Sequence, residues 1–239
     1  VSDAPLFIGW QARVPRGLRR FLALVAASLL AGAVVLAVLL ARAADDPGAG
    51  DWAGDATLTG TLTARPYPLL RLPDGHTVLL SAFGKAQVAV PADGAPRAVT
   101  AGGVLVRRGT LDMLVVNDPA RLRLSDAHAA PPPATPLGRW RIVGEICDGK
   151  CYTGAMRPGA GIAHRACASL CLIGDIPPVL VGVAPAEGSS FFLLAGPDGG
   201  PMPAALRKLV GLRLRLDGLL ERRGDLLVFR ADPASAEVM

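Results

Sequence analysis

Two patterns of apolar residues divide the chain. Residues 21–40 read FLALVAASLLAGAVVLAVLL, a run of 20 without a charge. At about 1.5 Å per residue such a helix reaches about 30 Å, the hydrocarbon thickness of a bilayer, and it has no polar side to turn to water. From Thr57 onward the apolar residues come in short runs rich in Val, Leu and Thr, separated by turn residues. These predict strands at 57–64, 69–72, 77–81, 104–107 and 111–116, then at 140–146, 179–183, 191–194, 212–220 and 226–229. Pro73-Asp74-Gly75 predicts a turn, because Pro presets φ and Gly supplies a positive φ. Gly102-Gly103 and Pro158-Gly159 also read as turns rather than phosphate loops. Residues 130–136 (APPPATP) predict a stiff polyproline connector. One helix is predicted outside the apolar run, over 162–172 and ended by Gly174.

The two strand series repeat one pattern. Arg107-Arg108-Gly109, Leu114-Val115-Val116 and Asp118-Pro119-Ala120 close the first. Arg222-Arg223-Gly224, Leu227-Val228-Phe229 and Asp232-Pro233-Ala234 close the second, 114–115 residues later. Gly60 and Gly144 open the two copies 84 residues apart, and Tyr67-Pro68-Leu69-Leu70 matches Pro177-Pro178-Val179-Leu180 at a spacing of 110. The second copy therefore holds an excursion between its first two strands. Five strands per copy, ending in a Gly-containing hairpin, resemble the OB barrel as used in bacterial periplasmic proteins. The expected fold is mainly β: an N-terminal transmembrane helix, then two small OB-like β-barrel units, the second with a Cys/His-bearing helical insertion. The expected boundaries are a cytoplasmic segment 1–20, a membrane helix 21–41, a linker 42–56, a first β domain 57–126, a Pro-rich linker 127–137, and a second β domain 138–236 with an insert at 147–174.

Charge sets the direction of the membrane helix. Arg13, Arg16, Arg19 and Arg20 precede it, while Asp45, Asp46 and Asp51 follow. The positive-inside rule then places the N-terminus in the cytoplasm and the rest outside, on a bacterial inner membrane. The competing reading is a cleaved signal peptide, for which Ala41-Arg42-Ala43 resembles a cleavage site. The apolar run exceeds the 7–15 residues usual for a signal, which favours the anchor. The net charge of +5 is thus largely a topology signal. Basic residues interleaved with aromatics are absent, so no nucleic-acid partner is expected. Arg107, Arg108, Arg222 and Arg223 are expected as hairpin surface charges, and His76 and His128 as exposed.

The chemistry concentrates in one segment. All four cysteines, Cys147, Cys151, Cys167 and Cys171, fall within 25 residues that also hold His164. On the predicted helix His164, Cys167 and Cys171 stand at i, i+3 and i+7, on one face. There is no C-x-x-C-H for haem attachment, no C-x-x-C for thioredoxin-like exchange, and only one nearby His where a Rieske centre needs two. Two readings fit: a disulfide staple, suited to an oxidising compartment, and a tetrahedral Zn²⁺ or Cu⁺ site of Cys151, His164, Cys167 and Cys171. Cys147 serves as an alternative ligand or disulfide partner, and a reactive thiol is a third option. Met156 is a minor candidate ligand, and Lys150, Tyr152 and Arg165 could line a face beside the cluster.

Asp148-x-x-Cys151, then His164-x-x-Cys167-Ala168-x-x-Cys171, Gly174 and Pro177-Pro178, is similar to a family of bacterial membrane-anchored extracytoplasmic proteins with a D-x-x-C…H-x-x-C-A-x(2-3)-C module. The resemblance covers about 35 residues and implies three thiols plus one imidazole, a set suited to a metal; Cys147 departs from it. No Ser/His/Asp set, carboxylate pair or phosphate loop stands out. The expected role is a non-enzymatic accessory or interaction subunit of a membrane redox or respiratory assembly, with lipid and other subunits as partners. A disulfide-stapled periplasmic binding domain and a thiol-disulfide oxidoreductase are the alternatives.

Overall fold

The computed structural model describes residues 14–43, 48–91, 93–128 and 133–239. Arg13, Asp45, Asp46 and residues 129–132 of the predicted proline connector lie outside them. Helix α1 (Arg16–Ala43) forms one unit. Its window of mean hydropathy 2.7 buries nothing within the protein, and Phe21, Leu24, Leu29 and Leu30 stand exposed around it. By length and composition this helix suits a membrane anchor or a signal sequence.

The second unit, 46–239, holds two closed five-stranded barrels. The first is built from β1 (Asp51–Thr63), β2 (Leu69–Arg71), β3 (Thr77–Ala82), β4 (Arg97–Arg108) and β5 (Leu111–Val116). Its order is β1-β2-β3-β5-β4, closed by β1–β4 pairing, with β3 and β5 parallel. Strand β6 (Leu122–His128) adds to β4. The second barrel uses β7 (Ala134–Asp148), β8 (Pro178–Ala186), β9 (Ser189–Ala195), β10 (Arg213–Arg223) and β11 (Leu226–Ala231) in the same order, and β12 (Glu237–Val238) adds to β10.

The registers repeat strand by strand. Thr61 opposite Arg71 answers to Glu145 opposite Val181, and Gly60 opposite Val99 to Gly144 opposite Leu214. Leu79 beside Met113 answers to Leu193 beside Val228. The hairpins turn at Gly109 (φ 57°) and Gly224 (φ 68°), each first of a two-residue loop where a left-handed residue suits the strand twist. After each barrel an aspartate, Asp118 or Asp232, caps a short 3-10 turn by accepting from the N–H of Ala120 or Ala234. The cysteine segment, 149–177, lies between β7 and β8, where the first barrel has only 64–68.

Several expectations change. Strand β1 starts at Asp51 and β7 at Ala134, inside segments read as linkers. Gly102-Gly103 is not a turn but part of β4, where a Cβ on Gly103 would stand 2.2 Å from the Val115 carbonyl oxygen, so a bare backbone is what the close approach needs. His76 does not simply face solvent: its Nδ1 lies 2.6 Å from Asp225 and its Nε2 3.1 Å from Asp112, joining the two barrels. The barrels also share one apolar core. Tyr67, Leu79 and Met113 of the first pack with Tyr152, Val179 and Phe191 of the second. The connector therefore does not separate two free domains.

The docking is reciprocal. The β4–β5 hairpin lays Arg108 over the Tyr152 ring, 4.1 Å from its centroid, with Nη1 donating to the Tyr152 carbonyl at 3.2 Å. The β10–β11 hairpin sends Arg223, the counterpart of Arg108, onto the carbonyl of Arg65 in the β1–β2 loop. Each hairpin sits on the other barrel's first loop.

A candidate metal centre between the barrels

The excursion begins where β7 ends. Residues 149–150 turn helically into a π-type turn, Cys151–Ala155, and α2 (Arg165–Ile173) follows after a loop. The helix starts three residues later than the pattern predicts, with His164 at its N-cap and Gly174 at its C-cap. Ala168, Cys171 and Leu172 are its buried residues, so its apolar side holds it against the barrel.

Strand end, turn and helix bring five side chains together. The ligand atoms of Cys151, His164 and Cys167 lie within 4.8 Å of one another, and so do those of Asp148, Cys151 and Cys171. Cys151 belongs to both groups. Two ligands on a tetrahedral zinc sit roughly 3.4–3.8 Å apart, given Zn–S near 2.3 Å and Zn–N near 2.0–2.1 Å. Each triad is thus compact enough to be a candidate for holding an ion. Thiolates with an imidazole are soft donors, suited to Zn²⁺ or Cu⁺. Cys151 and Cys171 are buried, and Cys167 is partly open to solvent.

Asp148 organises the centre. It is wholly buried and has both oxygens engaged: Oδ1 accepts the Cys151 N–H at 2.8 Å, and Oδ2 lies 3.1 Å from His164 Nε2. With Nε2–H donating to Asp148, the Nδ1 lone pair of His164 is the one left for a metal, the arrangement that carboxylates commonly impose on metal-binding histidines. The Asp148-x-x-Cys151 spacing carried this signal in the sequence.

Two lysines complete it. Lys85, from the first barrel, places Nζ 2.9 Å from Cys167 Sγ and 3.5 Å from Cys171 Sγ. The Cys167 contact raises the Lys85 pKa to about 12. Cys151 and Cys171 are coupled: hydrogen bonding to Cys171 pushes the Cys151 thiol up, and the same bond, helped by Lys85, brings Cys171 down to about 7. Lys150 donates to the carbonyls of Ala82, Phe83 and Gly84, and burial lowers its pKa against the opposing charges of Cys171 and Cys151. Lys85 gave no sequence signal, because it comes from the other barrel.

Other expected residues stand apart. Cys147 is in neither group. Its buried thiol donates to Glu145 at 3.4 Å, and burial pushes its pKa well up. Met156 Sδ is 3.5 Å from Cys167 Sγ, at the exposed rim. Tyr152 is a packing residue on Phe191 and Arg108, and Arg165 donates to the Lys208 carbonyl. No disulfide joins any of the four cysteines. No family model, curated protein or solved structure matches this chain.

Proposed function

We propose that this chain is a membrane-anchored, extracytoplasmic accessory subunit of a membrane redox or respiratory assembly, carrying a structural or carrier Zn²⁺ or Cu⁺ site. Cys151, His164, Cys167 and Cys171 are the ligands, and Asp148 orients His164. One observation carries the reading: a buried aspartate already holds the imidazole, and two thiol groups converge on it within 4.8 Å. Disulfides use only sulfur and give that imidazole no role. The apolar helix α1, bare on every side and carrying Arg16, Arg19 and Arg20 in its first turns, supports an inner-membrane anchor with its N-terminus in the cytoplasm. The bilayer and neighbouring subunits are then its partners.

A second reading, a thiol-disulfide oxidoreductase, draws on Cys171 near pKa 7 beside Lys85. Native mass spectrometry of the purified full chain separates the two. The metal reading expects one bound ion, lost to chelator and in His164→Ala, and kept in Cys147→Ser. Loss of about 4 Da with no bound ion indicates two disulfides and overturns it. A metal-free protein whose Cys171 reacts rapidly with alkylating agents overturns it in favour of exchange chemistry.

A further inference from the structure

The repeated registers allow the two seams of the docking to be compared position by position. Where the β4–β5 hairpin meets the second barrel, a cavity is lined by Arg108, Arg213, Glu145 and Cys147. It contains its own anion: Glu145 accepts the Gly161 N–H and the Cys147 thiol. Where the β10–β11 hairpin meets the first barrel, a cavity of about 330 Å³ is lined by Arg65, Arg71, Arg223 and Thr77, with Leu69 and Leu226 as apolar walls. The counterpart of Glu145 here is Thr61, so no carboxylate stands at that position in this seam.

The polar groups of the second cavity are short of partners. Thr77 is 8% exposed, and its Oγ1 has no hydrogen-bond partner among the described residues. Arg71 Nη1 is also buried without one. The guanidinium of Arg71 lies against Gly224, where a Cβ would collide with it, so the hairpin leaves room for this arginine. Of the three arginines, Arg223 is held by Glu221 at 2.6 Å. Arg65 and Arg71 have no carboxylate partner among the described residues. Buried polar groups are nearly always satisfied, and an arginine fork matches a carboxylate.

We infer that this seam is a binding site for a small organic carboxylate with an apolar body, its carboxylate taking the place that Glu145 fills in the other barrel. Arg71 and Arg65 meet the charge, the Thr77 hydroxyl donates to an oxygen, and Leu69 and Leu226 cover the apolar part. The inference is independent of the metal centre, since none of these residues belongs to it.

Calorimetric titration of the purified full chain with benzoate, benzamide and inorganic phosphate tests it. Benzoate should bind saturably, one per chain, with benzamide and phosphate each at least about tenfold weaker. Arg71→Ala and the near-isosteric Thr77→Val should each weaken benzoate about tenfold or more, in line with charge-assisted hydrogen bonds. Thermal melts confirm that the variants fold, and Thr77→Val stands if Arg71→Ala does not. Absence of saturable benzoate binding, equal binding of benzamide or phosphate, or unchanged affinity in folded Thr77→Val would overturn the proposal.

Discussion

At the scale of single residues, His76 ties the barrels together in a pH-dependent way. Partial burial lowers its pKa, but the hydrogen bonds and charges of Asp225 and Asp112 outweigh this, so the folded value stands above the ordinary one. A raised folded pKa gives stability that is fully present below the unfolded value, near 6.5, and lost as pH rises through the folded one. His76 is a third exposed, so the effect is small: such pairs contribute roughly 0.2–1 kcal/mol. Between pH 6 and pH 9 the wild type should lose about 0.4–4 °C more in melting temperature than His76→Ala does. An identical decline in the variant would assign it elsewhere. The sequence concealed this residue because both partners are remote from His76 in the chain.

At the scale of elements, the first strand of each barrel lies tightly against its neighbour at a glycine. A Cβ at Gly60 would stand 2.1 Å from the Arg71 carbonyl oxygen, and one at Gly144 2.4 Å from that of Val181. Gly60→Ala and Gly144→Ala should each cost about 1–3 kcal/mol in urea unfolding. Gly84→Ala, with nothing within 4 Å of the added carbon, should change little. Equal effects at all three would show that the close approach does not matter. These elements were legible in the sequence, as strands alternate with turn residues and the copies share spaced glycines. Strand β6 was not, because its alternation of Leu122 and Leu124 with Arg123 and Ser125 is short and ends where Asp126-Ala127-His128 breaks it. Helix α2 was found but its start was not: Ile162 and Ala163 look helical, while the chain is still turning. The candidate ligand residues were visible through their spacing; Lys85 was not, since contact between barrels leaves no local pattern.

At the scale of the whole molecule, the shared core decides how the β unit unfolds. Met113 is fully buried and faces the other barrel, where its Cε would lie 3.0 Å from a Cβ on Gly149. Met113→Ala should cost about 2–5 kcal/mol. In a Trp10→Phe background, tryptophan fluorescence reports Trp52 on β1 and Trp140 on β7, and far-UV circular dichroism reports all strands. Both signals should move together in a single transition, in wild type and variant alike. Two separated transitions would make the barrels independent folding units.

The reciprocal seating of hairpins has a consequence for how such a chain can be divided. Duplicated patterns are commonly cut at their connector, and here 129–132 offers an obvious place. A fragment ending there would carry Leu79, Met113 and Val115 on an uncovered wall, and its twin would carry Val179 and Phe191. Each half would present a sticky surface of the kind that drives self-association. The repeat is therefore a unit of pattern and not of solubility: the smallest piece that can stand alone in water is the pair.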